Sequence, residues 1–183
     1  TFQHAFARRE NSRMLREYRD FHPKLDPSAW VADSAEVIGD VELAEDVSIW
    51  FQCVVRADVA RVRIGARSNI QDHSTIHVSR GDVPTIIGED VTLGHKAVVH
   101  AAEVRDGALI GIGATVLDKA VVEEGAIVGA NSLVTPGTIV PAGKMVMGTP
   151  ARVVRDVSDA ERAWLAETVM NYVNLSREHR EKD

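Results

Sequence analysis

The sequence predicts an all-β solenoid, a coil of short parallel strands closed by a C-terminal α-helix. Three observations predict it. An aliphatic residue recurs every six positions through most of the chain. The residue two before it is usually small or branched. The 3.6-residue spacing of a helix is absent from the same stretch, where glycine, Val and Ile are frequent.

The beat runs Val31, Val37, Leu43, Ile49 and Val55, then Ile64, Ile70 and Ile76. It resumes at Ile87, Leu93 and Val99, and again from Val104 through Ile110, Val116, Val122, Val128, Val134 and Val140 to Val146. A short internal repeat is read before any single element. A period of six suits a prism in which each hexapeptide forms one side. The aliphatic residue points inward, the small one (Ala35, Ala97, Ala108, Ala114, Ala126) packs beside it, and the rest face outward. Three hexapeptides close one triangular turn. Successive turns stack at about 4.8 Å, the inter-strand distance, so stability comes mostly from nearest-neighbour stacking. Gly65, Gly88, Gly94, Gly111 and Gly129 directly follow the aliphatic residue, where a corner is expected to need permissive backbone.

The chain divides into an N-terminal arm (1–27), the β-helix (28–150) and a C-terminal helix (151–183). Arginines and acids are mixed over residues 1–20 (Arg8, Arg9, Arg13, Arg16 and Arg19 with Glu10, Glu17 and Asp20). That mixture predicts a solvated helical arm rather than a transit peptide, which is poor in acids. The first residue is Thr1, which leaves room for a leader ahead of it. The beat stops at Gly148-Thr149-Pro150. Ser158-Asp159-Ala160-Glu161 then reads as a capping box. Leu165, Val169, Tyr172 and Val173 form one face of a helix reaching about Lys182, which packs along the prism or on a neighbouring chain.

Composition narrows the function. At 183 residues the chain is one domain with appendages, and its net charge of −6 argues against a nucleic-acid partner. No run is long enough to span a membrane. The single cysteine, Cys53, excludes a disulfide framework and a multi-thiolate zinc site, and is expected to be a small packed residue. A cytoplasmic protein is the simplest expectation.

The beat is irregular at Val55 to Ile64, Ile76 to Ile87, and Val99 to Val104. All three intervals fall in the segment that holds His73, His77, His95 and His100, and rule-breaking concentrates at functional sites. Numbering the prism faces in threes puts Val55, Ile76 and Val99 in one column. The residues that follow them, Arg56, His77 and His100, then form an outward ladder. Two imidazoles one coil apart can share a metal ion at about 2.0–2.1 Å from each nitrogen. In the adjoining column Asp72 lies one coil from His95, on a different face from His77 and His100. In a symmetric trimer, the His95 face of one subunit can meet the His77/His100 face of another, giving equivalent metal sites at every interface. Three histidine ligands leave a position open for water, the catalytic pattern. A chance surface pair is the alternative. His73 is read as a surface or interface residue, and His4, His22 and His179 are given no role.

Together these residues resemble the γ-class carbonic anhydrase-like family over residues 28–175. The resemblance rests on Val55-Arg56-Ala57-Asp58, Asn69-Ile70-Gln71-Asp72, His77, Leu93-Gly94-His95, His100 and Gly148-Thr149-Pro150-Ala151. It implies a left-handed coil and a homotrimer with Zn²⁺, or alternatively Fe²⁺ or Co²⁺, at each interface. His77 and His100 would come from one chain and His95 from its neighbour. It implies reversible CO₂ hydration by a metal-bound hydroxide, with Gln71 hydrogen-bonding the hydroxide and Asp72 steadying the neighbouring network. Arg56 and Asp58 match an intersubunit ion pair. Tyr172 and Asn174 match a Tyr-x-Asn leaning toward the site from the C-terminal helix. Val54 or Val99 would offer CO₂ an apolar place. Val59 stands where fast members carry a glutamate, Ala57 replaces a glycine, and the loop Val78-Ser79-Arg80-Gly81-Asp82 holds one carboxylate. A proton shuttle contributes about 10²–10⁴-fold, so a slow or buffer-dependent enzyme is expected. Two alternatives stand beside this one: a hexapeptide acyltransferase or CoA-thioester hydrolase, and a non-catalytic trimeric scaffold.

Overall fold

The computed structural model describes residues 14–181. Its strands wind into a left-handed parallel β-helix of about 7 turns, followed by one helix. The inward column is built as the beat requires: Val37, Ile49, Val55, Ile70, Ile76, Leu93, Val99 and Ile110 are all fully buried. One face is a separate sheet in which Asn69–Ile70 pairs in parallel with Thr92–Leu93. The other two faces form one continuous sheet, joined by the long strands Glu36–Leu43 and Val54–Ile64 that run around the corner between them. Register follows the columns. Val55 lies beside Ile76, Ile76 beside Val99, and His77 beside His100.

The glycines after the aliphatic residue do not serve the purpose expected of them. Gly65, Gly88, Gly94, Gly111 and Gly129 are not among the positive-φ residues. They are needed because a Cβ would enter the next coil: at Gly111 it would stand 2.7 Å from the Ala130 nitrogen. The left-handed turn conformation falls two residues later, at Arg67, Asp90, Lys96, Gly113 and Asn131.

Buried polar groups are paired coil to coil, as burial demands. Ser74 Oγ donates to the Gly94 carbonyl at 3.0 Å, and Asn69 Nδ2 donates to Thr92 Oγ1 at 2.9 Å. Cys53 is a free, buried thiol, pushed up to about 12 by burial. It is a packing residue, as expected.

The chain ahead of residue 28 departs from the expected helical arm. Residues 1–13, with His4, Arg8, Arg9, Glu10 and Arg13, lie outside the described residues. From Leu15, two short strands pair with Glu36–Leu43: Leu15 lies beside Val37, and Leu25 beside Leu43. The open edge of the first long strand captures this segment, because sheet pairing satisfies backbone groups that a lone helical turn would leave to water. At the other end Lys144–Gly148 and Ala151–Asp156 form an antiparallel hairpin around Thr149-Pro150.

Helix α1 (Asp159–Arg180) carries the capping box read from the sequence. Ser158 accepts from the Glu161 nitrogen, and Glu161 accepts from the Ser158 nitrogen. Its buried face is Leu165, Val169, Val173 and Ser176, with Tyr172 half-buried. Its 22 residues span about 33 Å at about 1.5 Å per residue, close to the height of the stacked coils. Its last turn reaches the first coils: Arg177 pairs with Asp46 at 2.7 Å, and His179 packs against Trp30, Trp50 and Phe51. Among the described residues no helix is long and apolar enough to cross a membrane.

Two changes test these attributions by denaturant unfolding. Gly111→Ala is expected to destabilise by about 1–3 kcal/mol, the usual cost of overpacking. Ser158→Ala is expected to cost about 1 kcal/mol through the lost cap.

Candidate metal centre

His77 and His100 end adjacent strands, Thr75–His77 and Val98–His100, and their outward side chains meet. His77 Nδ1 lies 3.1 Å from His100 Nε2. The outer nitrogen of each ring faces a carboxylate. His77 Nε2 is 3.0 Å from Asp58 Oδ1, and His100 Nδ1 is 2.7 Å from Asp118 Oδ1. A carboxylate accepts only, so each ring carries its proton on the outer nitrogen. The two inner lone pairs then point at each other. That arrangement is repulsive unless a cation or a shared proton lies between them. Two nitrogens on one tetrahedral cation at about 2.0–2.1 Å stand about 3.3 Å apart, so the pair fits a divalent metal.

Arg56 contacts Asp58 within the same chain. Burial would raise the Asp58 carboxyl, but the hydrogen bonds from His77 and Arg56 outweigh it and hold the group below the ordinary carboxylate range. Arg56 and Asp58 thus meet along the one strand Val54–Ile64, and the pairing across an interface expected of them involves a second chain. The Asp118 carboxyl is also lowered, chiefly by the Ser79 hydroxyl and then, against burial, by His100.

His95 lies on another face, with Nδ1 2.8 Å from Asp72 Oδ2. The column reading placed both pairs, His77 with His100 and Asp72 with His95. Among the described residues no three His, Cys, Asp or Glu side chains of one chain form a metal-holding group. A three-histidine set therefore requires a second chain.

Gln71 is buried, and its Nε2 donates to Asn69 Oδ1 at 3.1 Å. Gln71, His95 and Tyr172 line a groove of about 650 Å³ between helix α1 and the prism. Tyr172 stacks edge-on against Trp50 at 5.2 Å, and its phenol is raised by burial and by the charge of Asp72. Asn174 is exposed and does not line the groove, because residues two apart on a helix do not share a face. Val99, considered as a lining for CO₂, points into the core and is fully buried. His73 is exposed at a left-handed turn, as a surface residue would be.

Asp118 was not singled out from the sequence, and neither was Ser79. The available signal was positional. Val116 sits one coil from Val99, so Asp118 falls near the residue above His100.

Residues 84–118 match the hexapeptide repeat of succinyl-transferase. The chain is 45% identical to protein YrdA of Escherichia coli over 92% of its own length and 95% of that protein. It is 48% identical to a carbonic anhydrase of Geobacillus kaustophilus, covering 80% of each. Gamma carbonic anhydrase 1 of Arabidopsis thaliana, a mitochondrial protein, is 44% identical over 91% of this chain, which spans 62% of that protein's length. Among solved structures, a hexapeptide transferase family protein from Anaplasma phagocytophilum superposes with a TM-score of 0.86 at 38% identity, covering 90% of this chain and 96% of that one. The Bacillus cereus N-acyltransferase AntD, 15% identical with a TM-score of 0.60 over 86% of this chain and 92% of its own, shares the fold alone. The sequence identity over most of the chain, joined to the coil and its histidine ladder, places this protein in the γ-class carbonic anhydrase-like family.

Proposed function

We propose that the chain is a γ-type carbonic anhydrase-like metalloprotein. It interconverts CO₂ and bicarbonate at the interfaces of a homotrimer, in the cytoplasmic setting expected from its composition. One observation carries the reading. The inner nitrogens of His77 and His100 face each other at 3.1 Å while carboxylates claim the outer ones. Zn²⁺, or Fe²⁺ or Co²⁺, would be held by His77 and His100 of one chain and His95 of the next. Bound there, a divalent cation supplies Lewis acidity and lowers a water's pKa to about 7.

The side chains of the protein do the rest. Asp58 and Asp72 hold the ring protons of His77 and His95 on the nitrogens turned away from the cation. Arg56 keeps Asp58 charged and in place. Gln71, anchored through its nitrogen on Asn69, keeps its carbonyl oxygen free to orient the attacking water. Tyr172 closes the same groove from helix α1, and Asn174, exposed on that helix, would act only toward a neighbouring chain. Exposed Ile112, Met147 and Trp164 rim the groove and support a covering partner. Asp82, the carboxylate of the 78–82 loop, leans on Arg61 at 3.9 Å, and Val59 cannot relay a proton. Proton release is therefore left to buffer, and turnover is slow.

One observation favours a second reading: the groove of about 650 Å³ beside His95 is far larger than CO₂ needs. It would suit the acyl chain of a CoA thioester. Acyl-CoA turnover that survives chelation would select this reading over the first.

Elemental analysis of anaerobically purified protein should find about one metal per chain, with CO₂ hydration in stopped flow that rises with buffer concentration. Metal-free trimers, or full occupancy with no hydration under any buffer or metal, would overturn the metal or the activity respectively. His95→Ala and His100→Ala should each abolish hydration. Mixed trimers of the two retain one complete interface each, so a random equimolar mixture should recover about one quarter of wild-type activity, as cyclic symmetry requires. No recovery on mixing would place His95 and His100 of one site on the same chain and overturn the shared-interface arrangement.

A further inference from the structure

A carboxylate outside the residues assigned so far completes a pattern. Each of the three histidines has an aspartate on one ring nitrogen: Asp58 on His77, Asp72 on His95 and Asp118 on His100. Asp118 is itself held in place. Its Oδ2 accepts from Ser79 Oγ at 2.5 Å while Oδ1 faces His100 Nδ1 at 2.7 Å. Its backbone carbonyl accepts from the Gly137 nitrogen one coil further on, at 2.9 Å.

Ser79 belongs to the short loop between the strands Thr75–His77 and Thr85–Ile87, which is pinned at both ends. The Ser79 nitrogen donates to the Val83 carbonyl at 3.1 Å, and Thr85 Oγ1 donates to the His77 carbonyl at 2.5 Å. The loop, with Asp82 as its one carboxylate, thus fastens both histidines, one through the backbone of His77 and the other through Asp118.

An isolated exposed ion pair is worth little. This pair differs because the other nitrogen of His100 faces His77 Nδ1. Whichever nitrogen Asp118 leaves bare is the one presented to a cation. A partner that fixes the tautomer of a ligand and raises its basicity typically governs metal affinity.

We propose that Asp118, braced by Ser79, is a positioning residue that holds His100 in the Nδ1–H tautomer and so presents Nε2 to the metal. The proposal rests on the metal-site reading above. Asp118 touches neither substrate nor metal and acts through His100.

The test uses the full chain stripped of metal and titrated with Co²⁺ against a chelator, with the visible Co²⁺ spectrum recorded. Asp118→Asn keeps the shape and removes the charge. It should weaken Co²⁺ binding about 10–100-fold and alter the spectrum while the oligomeric state is retained. Ser79→Ala should weaken binding less, in the same direction, and Asp33→Asn, a charge change at an exposed turn, should do neither. If Asp118→Asn binds Co²⁺ with wild-type affinity and spectrum, the proposal is overturned and the metal site stands. If Asp118→Asn does not fold, Ser79→Ala decides by the same two readouts. If the wild-type chain binds no Co²⁺ at all, the metal-site reading itself fails, and the proposal with it.

Discussion

The structure depends on in-register stacking of one coil on the next. Each inward aliphatic residue packs on the same position of the neighbouring coil, and each outward residue inherits that alignment. His77 sits beside His100 because Ile76 sits beside Val99. The site therefore needs no dedicated loop to bring its rings together. Burial of the aliphatic column sets the spacing, and strand pairing holds it at about 4.8 Å. A slip of one residue in either strand would turn an imidazole into the core and a valine out.

Stacking at this distance also explains what was hard to read from sequence. The column arithmetic carried the fold, the Asp72–His95 pair and the His77–His100 pair, since all three follow from a fixed period. The glycines were attributed to backbone freedom, whereas a Cβ at Gly111 or Gly94 would strike a coil that lies far along the sequence. That constraint is through space and leaves no local signature. Asp118 escaped notice for a related reason. Its partner Ser79 is thirty-nine positions away, and the two meet only because a loop folds over the edge of a coil. Asn174 shows how a helix divides a motif. A motif two residues long on a helix points in two directions, so Tyr172 enters the groove and Asn174 does not.

The chemistry depends on where protons sit as much as on where rings sit. Imidazole is a useful ligand only when the bare nitrogen faces the cation. Each candidate ligand here has an anionic acceptor on its far side, and two of those acceptors have a second donor of their own: Arg56 on Asp58, and Ser79 on Asp118. The site is thus built outward in layers, from ring to carboxylate to an anchoring donor. Arg56, Asp58 and Asp72 are among the residues that carry the family resemblance, while Asp118 and Ser79 are read from the geometry of this chain.

Helix α1 has a consequence beyond covering a face. A stack held only by nearest neighbours can fray from either end, one rung at a time. Here the helix leaves the last hairpin and returns to the first rungs, where Arg177 clasps Asp46 and His179 beds among three aromatic rings. Top and bottom are thereby lashed to one rigid rod. Opening either end means lifting the rod, so a one-dimensional array behaves as a single cooperative body, and the histidines midway along it are shielded from unravelling on both sides.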